Sequence, residues 1–129
     1  MGISSALQRL IVARLKAEVP LVSGRVFDGP NETATMPYVS IGPSYWNDDS
    51  AECIRGRVET VQVDIWASNK PDKRAAKDAT DEVVAALDGW EDTAALTMHP
   101  LRVSLVRVMD DPAPGVIHGV VQVEAMVEG

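Results

Sequence analysis

The sequence is short of the side chains on which most enzyme and metal sites depend. Its 129 residues include one cysteine and two histidines. One cysteine can form neither an internal disulfide nor a zinc site built on paired cysteines. The chain also lacks an H-E-x-x-H zinc motif, a G-x-S-x-G nucleophile elbow, a G-x-G-x-x-G loop and a Walker phosphate loop. No motif therefore indicates catalysis or nucleotide binding, and we expect no cofactor and no bound metal.

Positive charge and long apolar runs are scarce as well. The chain has 12 Lys and Arg against 19 Asp and Glu, which gives a net charge of −7. Because nucleic-acid affinity comes mainly from cations that neutralise phosphates, tight nucleic-acid binding is disfavoured. The apolar runs are far shorter than the ~20 residues that span a bilayer, and the N-terminus lacks a basic-then-apolar signal pattern. We expect a soluble protein, made in the cytoplasm, with no membrane partner.

The length and the apolar content are sufficient for one hydrophobic core. The composition, with 46% hydrophobic and 24% charged residues, is ordinary for a globular protein. A chain of this length buries roughly two-thirds of its unfolded surface, so it needs no disulfide or metal to fold. No repeat, low-complexity segment or linker divides the sequence. We therefore expect one domain over residues 1–129.

Two segments have the apolar period of an amphipathic helix. The first is residues 5–18, where Ser5 and Gln8 have the spacing of a capping box. The second is expected to begin at Asp72, as N-cap, and to end near Leu87. The residues expected to face the core are Ile3, Leu7, Leu10, Ile11 and Leu15 in the first helix, and Ala76, Ala79, Val83 and Leu87 in the second.

Five segments have the composition of β-strands. They are residues 25–27, 38–42, 58–68, 101–111 and 120–128. The alternation in the fourth changes phase at Val106, which is the sequence pattern of a β-bulge. Alternation in the third and fifth predicts which residues face the helices. These are Val61, Val63 and Ile65, together with Val121, Val123 and Ala125.

The order of these segments predicts the fold class. It reads helix, strand, strand, strand, helix, strand, strand. Strands that alternate between apolar and polar residues indicate an antiparallel sheet with one wet face, and two amphipathic helices can cover the other face. The prediction is an α+β fold, a two-layer domain with a mainly antiparallel β-sheet and two α-helices packed on one face.

Chemically capable side chains are concentrated in residues 44–57, the stretch SYWNDDSAECIRGR. Its acids do not have the spacing of an EF-hand, which needs Gly at the sixth position and Glu at the twelfth. The stretch lies between two strand signals and contains Gly56, so we interpret it as an exposed hairpin loop. Cys53, between Glu52 and Arg55, is expected to be an inert, partly buried thiol.

Two functions that depend on a binding pocket remain open at this point. One is a small metal-dependent hydrolase or nuclease whose site would consist of Asp48, Asp49, Glu52 and His118. The ligand spacing of known metal motifs is missing from this group. The other is a small-molecule-binding α+β domain with Trp66 or Trp90 in its pocket, although tryptophans more often serve core or interface packing.

Several segments, in their order and spacing, resemble the tail-completion, or tail-terminator, family of long-tailed phages, prophages and phage-like particles. GRVFDG at 24–29 and MPYVSIG at 36–42 are similar to the first two strands of the family. RGRVETVQVDIWAS at 55–68, AAKDATDEVVAALDG at 75–89 and PGVIHGVVQVEAMVE at 114–128 are similar to its central strand, the following helix and the closing strand.

The resemblance covers about residues 5–128, with two departures. Residues 44–57 are more acidic than the family pattern, and WEDTAALTMHP at 90–100 does not align with it. The departures concern loop-level contacts more than the fold.

The resemblance implies a structural virion protein, not an enzyme. Its copies would form a ring, typically a hexamer, at the head-proximal end of the tail tube, where the ring ends tube polymerisation and joins the tail to the head. The implied partners are other copies of the chain, the tail tube protein and a head–tail connector or stopper protein. The implied location is the virion tail, and the host cytoplasm during assembly. DNA would pass through the lumen without specific binding, since negative charge repels phosphate.

The stretch 44–57 supplies the candidate residues for the subunit interface. Aromatic residues and arginine are enriched at protein interfaces. The candidates are Tyr45, Trp46, Arg55 and Arg57.

Overall fold

Two α-helices and five β-strands form the computed structural model, which describes residues 2–129. Met1, the first residue of the expected domain, lies outside the described residues. The helices are α1 (Ile3–Glu18) and α2 (Arg74–Leu87), and a 3-10 turn follows α1 at Pro20–Val22. The strands are β1 (Val26–Phe27), β2 (Tyr38–Asp48), β3 (Gly56–Ser68), β4 (Arg102–Asp110) and β5 (Val116–Glu128).

The strands form one sheet in the order β1-β2-β3-β5-β4. β1 is parallel to β2, and all other neighbouring strands are antiparallel. Both helices pack on the same face of this sheet. The predicted α+β class, with a mainly antiparallel sheet and helices on one face, is confirmed. Neither helix within residues 2–129 is long and apolar enough to cross a membrane.

The core lies between the helices and the alternating residues of β3 and β5. The face prediction for both strands is confirmed, since its six residues are all buried in this core. They are Val61, Val63, Ile65, Val121, Val123 and Ala125. The helices contribute Leu7, Ile11 and Leu15 from α1, and Ala79, Val83 and Leu87 from α2.

Helix α2 approaches β5 closely at Gly119. A Cβ at this position would overlap with Thr80 Oγ1 and would lie 3.2 Å from Ile65 Cβ. The buried Thr80 hydroxyl donates to the carbonyl of Ala76 at 2.7 Å, which satisfies its hydrogen bond within the helix. The small residues on the inner face of α2, together with Gly119 on β5, allow the helix to lie this close to the sheet.

The predicted capping box of the first helix is wrong. α1 begins at Ile3 with Gly2 as its N-cap, so Ser5 lies inside the first turn. The side chain of Gln8 donates to Asp28 in the loop after β1, which ties the helix to the loop. The Gln8 side chain, which the local pattern assigned to capping, therefore forms a tertiary contact instead.

The predicted cap of the second helix lies one residue too early. Lys73 is the N-cap of α2, and Asp72 precedes it. Asp72 Oδ1 accepts the N–H of Arg74 at 2.9 Å, so the carboxylate still satisfies an N–H group at the start of the helix. The hydrogen bond from the Arg74 side chain lowers the pKa of Asp72.

A β-bulge on β4 accounts for the change of phase in its sequence. Val103 pairs with Val123 and Leu105 pairs with Gln122, so Ser104 is an extra residue on β4. The predicted bulge is confirmed, but it lies at Ser104, two residues before the expected Val106. It turns Leu105 toward the face of the sheet without helices, whereas the prediction placed Leu105 in line with the preceding apolar residues.

Strand β2 is longer than predicted and has its own bulge. The predicted strand 38–42 continues to Asp48, with a register shift between Ile41 and Ser44. Residues 44–48 therefore belong to a strand and not to a loop. The connection to β3 consists of residues 49–55.

Candidate assembly surface

The β2–β3 hairpin ends in a largely exposed segment, residues 43–57, which we call the hairpin arm; its β3 residues Gly56 and Arg57 still pair with β5. Every residue from Pro43 to Arg55 is exposed, including those in strand β2. A strand with one face on a core buries every second residue. The continuous exposure therefore means that neither face of β2 is buried against the core within the arm.

Trp46 and Arg57 contact each other on the helix side of the arm. The two residues are diagonal neighbours, because Trp46 pairs with Glu59 and Arg57 with Asp48. Arg57 Cζ lies 3.9 Å from the centroid of the Trp46 ring, which is a cation–π contact. Trp46 is nevertheless 48% exposed, so its ring is available to a partner.

A buried carboxylate fixes the position of Arg57. Glu59 is 2% exposed, and its Oε1 accepts the Ser4 hydroxyl at 2.9 Å. Arg57 Nη1 lies 3.6 Å from the same oxygen and donates to Ser4 Oγ at 3.3 Å. A buried charge is stable only when it is paired and hydrogen-bonded. This network fastens the base of the hairpin arm to the first turn of α1.

Tyr45 and Arg55 occupy other parts of the arm. Tyr45 is 59% exposed and pairs with Thr60, so its side chain lies on the face without helices. Arg55 lies in the loop, where its carbonyl accepts the Gly129 N–H at 2.9 Å. One surface depression is lined by Trp46, Arg55 and others of the arm. Tyr45 faces away from it.

The expectation that Cys53 is partly buried is wrong, because this thiol is exposed. Cys53 has a left-handed backbone, with φ of 66°, in the turn closed by the paired backbones of Ala51 and Ile54. The turn is exposed from Ser50 to Arg55.

The residues of the alternative hydrolase site lie far apart. Asp48, Asp49 and Glu52 are on the hairpin arm, whereas His118 pairs with Trp66 near the other end of the sheet. The two ends are about 30 Å apart at ~3.3 Å per strand residue. In the described part of the chain, no three His, Cys, Asp or Glu side chains are grouped closely enough to hold a metal ion. The four residues therefore do not form one site.

His118 belongs to a polar and aromatic cluster on the face without helices. Its Nε2 lies 2.7 Å from Asp64 Oδ1, and its ring stacks on Trp66 with centroids 4.1 Å apart. Trp66 Nε1 donates to Ser40 Oγ at 2.9 Å. Ser40 and Asp64 are buried, so this part of the predicted wet face is shielded from water. Sequence alternation placed Asp64 on this face but could not show which residue of β5 it meets.

The two tryptophans of the ligand-binding alternative differ in setting. Trp66 lines a depression of about 420 Å³ together with Met36 and Tyr38. Trp90 packs against the core, and Arg14 Cζ lies 5.1 Å from the centroid of its ring. Trp90 is thus a packing residue, and of the pair only Trp66 is placed to contact a ligand.

Comparisons with known proteins give one consistent class. The model of the family "Tail completion protein gp17" matches residues 9–128. No curated protein sequence matches the chain. A chain of the structure "Virion of native gene transfer agent (GTA) particle" is 23% identical with a TM-score of 0.86, over 99% of this chain and 98% of that chain. The gp17 protein of bacteriophage SPP1 is 21% identical with a TM-score of 0.60, over 96% of this chain and 90% of that chain.

Proposed function

The chain belongs to the tail completion protein gp17 family, and from this premise we propose how it completes a tail. It is a structural protein of the virion tail that takes part in joining head and tail, so it contacts other virion proteins. We propose that its copies, each folded as one domain, close into a hexameric ring at the head-proximal end of the tail tube. The ring ends tube polymerisation and binds the head–tail connector or stopper protein.

The exposed hairpin arm is the observation that carries this proposal. A closed ring needs a heterologous interface, in which each copy contributes two different surfaces. The arm presents two exposed aromatic side chains, Tyr45 on one face and Trp46 on the other, with Arg57 in contact with Trp46 and Arg55 in the loop. Such residues are enriched where proteins contact each other. We propose that the arm is one of the two surfaces.

A structural role without catalysis agrees with how the acids of the arm are used. Asp48 Oδ1 accepts the Ser50 hydroxyl at 2.7 Å, and the same hydroxyl oxygen accepts the Gly56 N–H at 3.2 Å. These bonds shape the end of the hairpin. The net charge of −7 is suited to a lumen through which DNA passes without binding, because like charges repel.

The first prediction tests the ring with a strain that produces particles only when this chain is supplied. Without the chain, tails should have abnormal length or stay unjoined to heads. The variant Tyr45→Ala with Trp46→Ala should fold normally, since both side chains are exposed, but should show the same defect. Arg57 is left unchanged because an acid at this position would face the buried Glu59. Negative-stain microscopy measures tail length and the fraction of tails joined to heads.

The matched control for this prediction is Leu21→Ala. Leu21 is a large apolar side chain with 42% exposure that lies outside the arm. It should give joined tails of uniform length. Normal tails in the complete absence of the chain would disprove the proposed function. Normal tails from the double variant alone would remove the arm from the interface.

A further inference from the structure

One outer edge of the sheet, strand β2, is open along the hairpin arm. The short strand β1 pairs only with Val39 and Ser40. Beyond the bulge, the β2 segment from Ser44 to Asp48 pairs with β3 on one side. No backbone hydrogen bond from elsewhere in residues 2–129 reaches its other side. Unpaired edges of this kind attract another strand.

The other outer edge, strand β4, is open over a segment of matching length. The backbone of Leu101 pairs with the segment that follows α2, and the Val103 N–H donates to Asp88 Oδ1 at 3.0 Å. These contacts cover the beginning of the edge. Within the described chain, the outer side of β4 has no backbone partner between the bulge at Ser104 and the end of the strand at Asp110.

The alternation of antiparallel ladders identifies the backbone groups that point outward. The Asp49 N–H donates to the Gly56 carbonyl, toward β3, and the Asp111 N–H donates to the Val116 carbonyl, toward β5. The residue directly before each of these two, and every second residue before that one, therefore points its N–H and C=O away from the sheet. The outward groups belong to Ser44, Trp46 and Asp48 on β2, and to Val106, Val108 and Asp110 on β4.

The two edges also match in direction and in face. Along the order β2-β3-β5-β4 each strand is antiparallel to the next, so β2 and β4 run in opposite directions. Trp46 pairs with Glu59, which contacts α1, and Val106 pairs with the core residue Val121. The side chains of both outward sets thus lie on the helix side. A second copy in the same orientation brings its β2 antiparallel to β4 with its helices on the same side.

We propose that the β2 segment of the hairpin arm pairs with β4 of the next copy, so that the sheets of successive subunits join into one. The proposal rests on the proposed ring and assigns its interface. Such a contact is heterologous, as a closed ring requires. The register that uses all the outward groups pairs Ser44 with Asp110, Trp46 with Val108, and Asp48 with Val106.

The side chains are compatible with this register. On the face without helices, Tyr45 would lie opposite Met109, and Asn47 opposite Arg107. Sulfur–aromatic contacts and neutral polar partners for arginine are favourable. Val106, which is 45% exposed, would be covered on the helix side by the arm. No two like charges lie directly opposite each other, an arrangement that would destabilise the pair.

Cysteine cross-linking tests the pairing. Opposed residues of a hydrogen-bonded pair have Cα atoms about 5.5 Å apart, within the range of a disulfide. We start from Cys53→Ser to remove the exposed thiol, and combine Ser44→Cys with Asp110→Cys. Mild oxidation of purified head-joined particles should link successive copies into a reducible ladder on a gel. The control pair is Ser44→Cys with Val106→Cys, also exposed but about 13 Å out of register, and it should give no ladder.

A second experiment removes one outward N–H group of β4 and leaves the hydrogen bonds between β4 and β5 in place. Val106→Pro takes away this donor, and proline is tolerated on a strand edge that faces solvent. The yield of joined tails should fall roughly tenfold relative to Val106→Ala, because the facing carbonyl loses its partner. The two purified variants should melt within a few degrees of each other.

The outcomes separate this inference from the proposed function. No ladder from the Ser44 and Asp110 cysteines in head-joined particles, a ladder from the control pair, or equal yields for Val106→Pro and Val106→Ala would overturn the edge pairing. The ring could then close through other surfaces. Absence of the chain from head-joined particles, measured by mass spectrometry, would overturn the proposed function instead.

Discussion

Glu59 is a charged residue at a position where the alternation of β3 calls for an apolar one. It precedes Val61 and Val63 on the helix side of the strand and is as buried as they are. Its charge is accommodated by Ser4 and Arg57. The carboxylate therefore links the core to the arm, since the cation that it holds also stacks on Trp46.

Glu59→Ala should lower the free energy of unfolding by about 3 kcal/mol, because it leaves a partly buried cation without its partner. Ser4→Ala should cost about 1 kcal/mol, the typical loss for one hydrogen bond. Urea denaturation of the purified chain measures both changes. A loss for Glu59→Ala no larger than that for Ser4→Ala would mean that the ion pair does not stabilise the arm.

Gly119→Ala should destabilise the fold by about 2 kcal/mol, since its methyl group would collide with Thr80 on α2. In a chain that already carries Thr80→Ala the same change should cost less, because the colliding hydroxyl is absent. Thermal denaturation of the four proteins of this cycle gives the coupling. Gly29→Ala, at a position with open space around it, is the control. If the effects of Gly119→Ala and Thr80→Ala were additive, the strain at Gly119 would not come from contact with Thr80.

Strand β3 carries the clearest structural information in the sequence. Its period of two predicted the buried face, because one side packs on helices and the other does not. The same reasoning found the bulge of β4, where an inserted residue changes the phase. Patterns of this kind are readable from a sequence when burial selects alternate residues.

Val63→Asp should prevent folding, because it places an unpaired charge in the core at a position with no exposed surface. The neighbouring change Gln62→Asp, on the face without helices, should leave a folded chain with a slightly reduced melting temperature. Circular dichroism with a thermal melt distinguishes the two. A cooperatively melting Val63→Asp protein would show that the assigned face of β3 is wrong.

The outer half of β2 could not be predicted, because a period of two appears in a sequence only where one face of the strand is buried. Residues 44–48 are exposed on both faces, so no burial imposes an alternation on their sequence. The composition of this segment suggested a loop. The structure brings two of the four candidate interface residues, Trp46 and Arg57, into contact, which the sequence did not predict. The ion pair between Arg57 and Glu59 could not be predicted from the sequence. Glu59 contacts Ser4 only because α1 packs on the sheet.

The chain as a whole combines open strand edges with an acidic surface. Edges at both sides of a sheet favour uncontrolled association. A net charge of −7 opposes it by repulsion between copies, most strongly at low ionic strength. In the proposed ring, contacts with other virion proteins would offset this repulsion at the end of the tail.

The surroundings of the three tryptophans have an optical consequence. Trp66 is stacked on His118 and Trp90 is partly buried under Arg14, whereas Trp46 is 48% exposed to water. Indole fluorescence moves to longer wavelengths as water reaches the ring, so Trp46 contributes the red side of the emission of a free subunit. Covering the arm shifts this contribution toward the blue and leaves the other two nearly unchanged. Under the proposed edge pairing, the emission of Trp46 would therefore report the moment at which one copy binds the next.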